Sequence, residues 1–492
     1  MNPKSARALG RVRTWLGKGT TLFMISVLEI GTPFVRMLIL ARFLDLGELG
    51  FASALSATYG IFETTTDMAV HRFVFRAPPD EFDDAMASAH ALMLLRGVVI
   101  CVLAVAAAPL IASMLSVGSH WKIFAALGPL ALIRSFENLG PRVAERHYQF
   151  KPQFKMTLAS TALGLSLLVP TLYVKRDHAA IVMCQLGLNL GLVLASHVFS
   201  DQRYRIKFRS PQFIRAFKFG YPLMFNGFGL AISGQGDRFV VGSLLGLPAL
   251  GVYNVVLMVT VVPISMVFRL MGTTNLAAFY NASASAKLFE QRIRLSGQLS
   301  PLVATVYALG IAAVMNIVTP AVFGARFAIG RMEVSLLAFA AFVRIIRVEP
   351  FTSLLLLLQR TKRLAASSLA VLSGLAFAYL FIEARPTIDA AFAGRLMGEV
   401  TSLGVTVALT RAQLAGNLAH YGSAATLGFV IVAAACVALS FSPPGLDLLF
   451  GIITLVVGSC VVILWGLRLL RTYSSAKPVP SFAAQFLPPL IK

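Results

Sequence analysis

Acidic residues are scarce in this 492-residue chain: 21 Asp and Glu stand against 43 Lys and Arg, and charged residues of both signs make up only 13% of it. So few charges, beside 57% hydrophobic residues and a mean hydropathy of +0.78, exclude a single soluble core at this length and leave a polytopic membrane protein. Cysteine is scarcer still. Cys101, Cys184, Cys436 and Cys460 each stand alone in an apolar run, which excludes a disulfide framework and metal-ligand spacing. There is no Gly-rich phosphate loop and no nucleophile motif with a suitable partner, so no cofactor, metal or catalytic residue is expected. A sizeable polar connection on the outer side is also lacking, and membrane enzymes that join sugars usually build their site from one.

The net charge of +22 would point to nucleic acid in a soluble domain, but its placement decides otherwise. Basic residues gather in alternate connections: Lys4 to Lys18, Arg72 and Arg76, Arg142 to Lys155, Arg203 to Lys218, Lys287 to Arg294, Arg360 to Arg363, Arg411, and Arg468 to Lys492. The intervening connections hold few. This positive-inside pattern puts both termini in the cytoplasm and leaves nucleic acid without a role. The N-terminal basic stretch precedes a long apolar run that carries Glu29 and Arg36 and shows no small-residue cleavage site, so it reads as a retained first helix.

Apolar spans number about fourteen, centred near Val35, Tyr59, Val102, Leu132, Leu165, Leu188, Gly229, Val261, Leu309, Phe342, Leu372, Leu396, Val430 and Val456. The stretch DRFVVGSLLGLPALGVYN, Asp237 to Asn254, has a second copy in VRMLILARFLDLGELGFA, Val35 to Ala52, with the LGELG and LPALG segments shifted by 201 residues. Ala131-Leu132-Ile133-Arg134 lies over Ala341-Phe342-Val343-Arg344 at a shift of 210, and Gln149 then falls on Gln359. Two matches in the same order predict duplicated halves. The expected architecture is all-α: a cytoplasmic N-terminus (1–19), a six-helix lobe (20–200), a cytoplasmic linker (201–218), a second six-helix lobe (219–410) related to the first by a pseudo-two-fold axis, two extra helices (421–471) and a cytoplasmic tail (472–492).

Ionisable residues deep in apolar helices carry the functional signal: Glu29, Arg36, Glu63, Asp67, Arg134, Glu137, Asp237, Arg238, Arg344, Arg347, Glu349, Arg395 and Glu399. An Arg at the bilayer centre costs roughly 2.5 to 3.5 kcal/mol on insertion scales, so Arg36, Arg134, Arg238 and Arg344 must face protein or water. A cationic cavity between the lobes, with Arg134 opposite Arg344 and Arg347 nearby, is one arrangement. Local neutralisation is the other: Arg134 with Glu137, Arg395 with Glu399, Glu29 two turns from Arg36. For Arg395 the local pair is preferred; for Arg134 and Arg344 the ligand role, because Glu137 lies over Arg347 and the acid is not repeated. Arg42, Arg96 and Arg269 lie nearer helix ends and are expected to snorkel. Glu63 and Asp67, four residues apart on one helix face, are candidates with Glu29 for ion coupling; pairing of Asp67 with His71 or Arg72 is the competing account. Asp80, Glu81, Asp83 and Asp84 read as a solvated acidic turn opening the third helix. Pro33, Pro263 and Pro350 should bend their helices.

The segments LDLGELGFASAL, TDMAVHRFVFR and DRFVVGSLLGLPALGVYN resemble the signature stretches of the Wzx-type oligosaccharide flippases, in the multidrug/oligosaccharidyl-lipid/polysaccharide exporter superfamily. The resemblance covers roughly the first twelve helices, and the short loops and two further C-terminal helices are also similar. Pro248-Ala249 departs from the polar turn of many relatives. The resemblance implies a transporter of the bacterial inner membrane, not an enzyme. Such a transporter moves a polyprenyl-pyrophosphate-linked oligosaccharide to the outer leaflet for surface polysaccharides such as lipopolysaccharide O-antigen or exopolysaccharide. It also implies alternating access, arginines that bind the anionic carrier, H+ or Na+ coupling as an open question, and polysaccharide assembly proteins as partners. Competing readings are a peptidoglycan-precursor flippase, a drug/cation antiporter and, from another class, a membrane glycosyltransferase or polymerase.

Overall fold

Apolar runs of this length satisfy their backbone in lipid only as helices or closed barrels, and the described residues contain helices and no strand. The structure is a computed structural model that describes residues 3–474 apart from 284, 415–417 and 442–446. The expected tail therefore lies outside the described residues from 475 onward. In chain order the helices are α1 (Pro3–Phe43), α2 (Leu46–Thr65), α3 (Val70–Phe75), α4 (Phe82–Met114), α5 (Trp121–Ala125), α6 (Leu127–Arg134), α7 (Gly140–Val143), α8 (Lys151–Val174) and α9 (Ala179–Val198). There follow α10 (Pro211–Ala282), α11 (Ala286–Phe323), α12 (Arg331–Val348), α13 (Phe351–Leu357), α14 (Thr361–Ala370), α15 (Ser373–Ala384), α16 (Ile388–Leu414), α17 (Leu418–Ser440) and α18 (Asp447–Ser474).

Among the described residues, 8 stretches have the length and hydropathy to cross a membrane. One of them, α10, would measure about 108 Å if straight, several times the hydrocarbon core. It is interrupted at Gly246, whose φ of 82° only glycine adopts readily, and so supplies two spans. The protein is an all-α polytopic membrane protein. The expected span centres fall inside helices except Leu372, which sits in the turn between α14 and α15. Pro33 and Pro263 lie within α1 and α10, and Pro350 separates α12 from α13.

The described residues form two compact units. The first comprises the described residues up to Met266, with Thr319–Ala328 and Lys362–Val405; the second comprises Val267–Val318, Ile329–Thr361 and the described residues from Thr406 on. Within the first unit the sequence repeat becomes a set of reciprocal contacts. Asp45 caps α2 by accepting from the Glu48 amide (2.8 Å), and Gly246, 201 residues later, makes the matching turn. Gly50 approaches the Leu247 carbonyl so closely that a Cβ would collide with it, while a Cβ on Gly251 would stand 2.6 Å from the Leu46 carbonyl oxygen. Asn254 donates to Ser53 (3.0 Å), again 201 residues apart. Such exchange of equivalent partners is what a local two-fold axis produces.

Close helix packing repeats too. Gly164 on α8 meets Gly187 on α9, and Gly374 on α15 meets Gly398 on α16, the small-residue contact that lets membrane helices approach. At the ends of α1 and α11, Arg42 donates to the carbonyls of Ala321 and Val322 while Arg326 donates to that of Ala41. Arg42 thus caps a helix from an exposed position, as the negative end of the helix dipole favours.

The second match holds with a corrected register. After α6 the chain breaks at Glu137, forms α7, passes Tyr148 at φ 57° and enters α8. After α12 it breaks at Glu349, forms α13, passes Gln359 at φ 54° and enters α14. The element paired with Glu137 is therefore Glu349, not Arg347, because α12 runs four residues past Arg344 whereas α6 stops at Arg134. Contrary to expectation, the buried acid is repeated: both glutamates are 2% exposed.

Candidate functional site

Inside the first unit α2 presents Tyr59 and Glu63 one turn apart, and two arginines converge on that glutamate from other helices. Arg96 of α4 donates to the Glu63 carboxylate (3.0 Å), the Glu63 carbonyl (2.6 Å) and Thr66 Oγ1 (3.0 Å). Arg134 of α6 reaches the same carboxylate oxygen through Nε at 3.4 Å, and its side chain remains 33% exposed. Tyr59 and Asn189 extend the network: the Asn189 amide donates to the Tyr59 hydroxyl (2.9 Å) and to the Leu130 carbonyl (2.7 Å).

Glu63, Arg96 and Arg134 line a cavity of about 280 Å³, together with Asp67, His71, Glu137 and Arg142. Its floor rests on α3, whose Val70 and Val74 pack with Met86, Leu92 and Met93 of α4 and with Leu139 and Val143. Glu137 pairs with Arg142 through two carboxylate–guanidinium contacts, a bidentate geometry that is strong where water is excluded. Burial and the neighbouring Arg142 hold the His71 imidazole below its ordinary range, with Asp67 opposing, so it is neutral at pH 7. The lining then carries three guanidinium groups (Arg96, Arg134, Arg142) and three carboxylates (Glu63, Asp67, Glu137). Formal charge is balanced, yet unevenly paired: Glu63 is shared by two arginines, and Arg134 holds its pair at the longest distance.

Several sequence expectations are corrected. Arg134 pairs with Glu63, not Glu137, because the helix ends at Arg134 and the i,i+3 spacing no longer applies. Arg96 lies inside α4 and binds Glu63 instead of snorkelling. Glu63 and Asp67 do not share a helix face: α2 ends at Thr65, and Asp67 accepts from the Ala69 amide (2.9 Å) in the turn beyond. Arg395 binds Asp237 of α10, which also accepts from Tyr253 (2.8 Å). The acidic turn is not merely solvated, since Glu81 and Asp84 pair with Arg215 and Lys207 at 3.2 and 2.9 Å.

Of the other candidates, Arg36 donates to Gln185 of α9 (3.3 Å), away from the cavity lining. Arg238 is held locally, by Asn254 (2.7 Å) and the Gly234 carbonyl (2.7 Å). Arg344 belongs to the second unit, where its guanidinium lies 5.7 Å from the Phe268 ring centroid. Arg347 is half-buried in that unit, and Glu29 is exposed on α1. The structure thus gathers Arg134, Glu63 and Asp67 in one cavity and leaves Glu29, Arg36 and Arg238 out of its lining. Sequence reasoning missed Arg142, whose signal was a basic residue just past a buried acid. It also missed the repeat-related ties Arg36–Gln185 and Asp237–Arg395, in which the cation has moved from one helix to its partner.

A family model described as "Polysaccharide biosynthesis protein" matches residues 39–329. No curated protein sequence matches the chain. Among solved structures, a lipid II flippase MurJ in an inward closed conformation is similar with a TM-score of 0.64 at 10% identity, over 93% of this chain and 99% of that one. The outward-facing conformation of a multidrug resistance MATE family transporter of the MOP superfamily is similar with a TM-score of 0.50 at 15% identity, over 81% of this chain and 96% of that one. At these identities the likeness is one of fold.

Proposed function

The chain belongs to the polysaccharide biosynthesis protein family, and from that premise we propose that it flips a polyprenyl-pyrophosphate-linked oligosaccharide from the cytoplasmic to the outer leaflet of the bacterial inner membrane. The observation that carries this reading is the Arg96–Glu63–Arg134 cluster lining a cavity inside an apolar bundle. Pyrophosphate calls for donors that stay charged and bind in pairs, which guanidinium supplies. Arg134 is the group suited to give up its partner. When it turns to an anionic head group, Glu63 keeps Arg96, so no carboxylate is left unpaired in a low-dielectric site. Arg142, held by Glu137, positions the cavity's inner end, and the prenyl tail stays in lipid. Transport proceeds by alternating access, with residues 20–200 and 219–410 as the moving lobes, both termini in the cytoplasm and the product passed to polysaccharide assembly proteins.

In cells deleted for the gene, Arg134→Ala should restore the protein to the membrane but not the surface glycan. Loss of one charged hydrogen-bond donor set corresponds to roughly a 10- to 100-fold fall in transport. Normal glycan in that variant would defeat the proposal. A second reading, transport of a lipid-linked peptidoglycan precursor, draws on the full-length likeness to the lipid II flippase fold. It predicts that depletion stops growth, whereas the first predicts only a stripped surface.

A further inference from the structure

The second unit contains a buried acid of a different kind. Glu349 is 2% exposed, and its partners are all neutral: the Asn275 amide donates to it (2.9 Å) and the Ser353 hydroxyl lies 2.8 and 3.1 Å from its two oxygens. Ser296 donates to Asn275 Oδ1 (2.8 Å), which fixes the amide with its NH2 group toward the carboxyl. Among the charged and titratable groups that α10, α11, α12 and α17 carry in the second unit are Arg269, Arg294, Arg344, Arg347, His420 and Tyr421. None makes an ion pair or hydrogen bond with Glu349; Arg294 meets His420 and Tyr421 donates to the Ile346 carbonyl.

The repeat sharpens the contrast. Glu137 has Arg142 five residues on, and five residues after Glu349 stands Leu354. One copy of the motif carries a permanent ion pair; the other carries the acid without its cation. We propose that Glu349 is a proton-binding site, a carboxyl that takes up and releases a proton within the second unit. Burial without a counter-ion disfavours the charged form, while the Asn275 and Ser353 donors favour it. Opposed in this way, the two forms are close enough in free energy to interchange. A resident metal cation fits less well, because the Asn275 amide turns its N–H and not its oxygen to the carboxylate, leaving the Ser353 hydroxyl as the oxygen beside it. Gly272 allows α10 to lie this close, since a Cβ there would come 3.3 Å from a Glu349 oxygen. The site stands independently of what the protein transports.

The test is infrared difference spectroscopy of the purified full-length protein in lipid, titrated between roughly pH 5 and pH 9. A protonated-carboxyl band should appear toward low pH, be missing from Glu349→Gln, and move to higher pH by about one to two units in Ser353→Ala, which removes a donor to the charged form. Any of three results overturns the proposal: no titrating band that Glu349→Gln deletes, a band unmoved by Ser353→Ala, or a band removed by sodium at constant pH. Ser353→Ala keeps the question answerable should the glutamine variant fail to fold, and none of the readouts depends on transport.

Discussion

At the scale of single residues, the buried glutamates of the cavity are decisive because they commit its arginines. Glu137 and Arg142 form the tightest pair in the cavity, and Glu137 has almost no contact with solvent. Breaking such a pair by removing one partner leaves an uncompensated buried charge, at a cost of about 3 to 5 kcal/mol. Arg142→Leu should therefore lower the melting temperature in detergent sharply, whereas Arg142→Leu with Glu137→Leu should recover most of the loss. Equal losses in the single and double variants would show that the pair's charge is not what holds α7 in place. Arg134 and Glu63 were both legible in the sequence as charges that do not belong in lipid. Their pairing was not, because it joins α2 to α6 across some seventy residues. Local spacing rules also assumed an unbroken helix at Glu137, where the chain in fact turns.

At the scale of elements, two short signals located most of the architecture. The LGELG and LPALG segments at 46 and 247 identified helix starts that exchange contacts, and burial follows the repeat as well: residues 171–180 and 381–390 show the same order of buried, intermediate and exposed positions. The register of α12 escaped detection, since α12 runs on to Val348 and the matching acid falls two residues later than expected, at Glu349 and not Arg347, without changing the apolar pattern. The reciprocal glycines supply a test. In Gly50→Ala the new methyl would strike the Leu247 carbonyl, backbone that has no rotamer to yield, and overpacking of this kind costs typically 1 to 3 kcal/mol. Reduced thermal stability is expected in Gly50→Ala and, to a smaller degree, in Gly251→Ala, whose nearest contact is longer. Wild-type melting in both would mean that the two copies do not pack as closely as their backbones indicate.

For the whole molecule, the charge imbalance that first suggested nucleic acid becomes a statement of orientation. Basic residues crowd the connection from α9 to α10 and the turn into the start of α14, where Arg203 and Lys362 are exposed, while the connections from α8 to α9 and from α15 to α16 carry few, among them the exposed Arg176 and Arg385. Translocating a basic loop against the membrane potential is costly at about 2.3 kcal/mol per charge per 100 mV, so the crowded set should stay in the cytoplasm. The four native cysteines are dispersed and unpaired, so they can be replaced to give a clean background. Single cysteines at 176 and 385 should then react with a membrane-impermeant maleimide in intact spheroplasts, and those at 203 and 362 only after lysis. The opposite pattern would place the basic loops outside and reverse the face from which the cavity takes its cargo. A lipid-linked sugar made in the cytoplasm would then meet the wrong end of the bundle, so this labelling decides whether outward flipping is the direction the protein's charge supports.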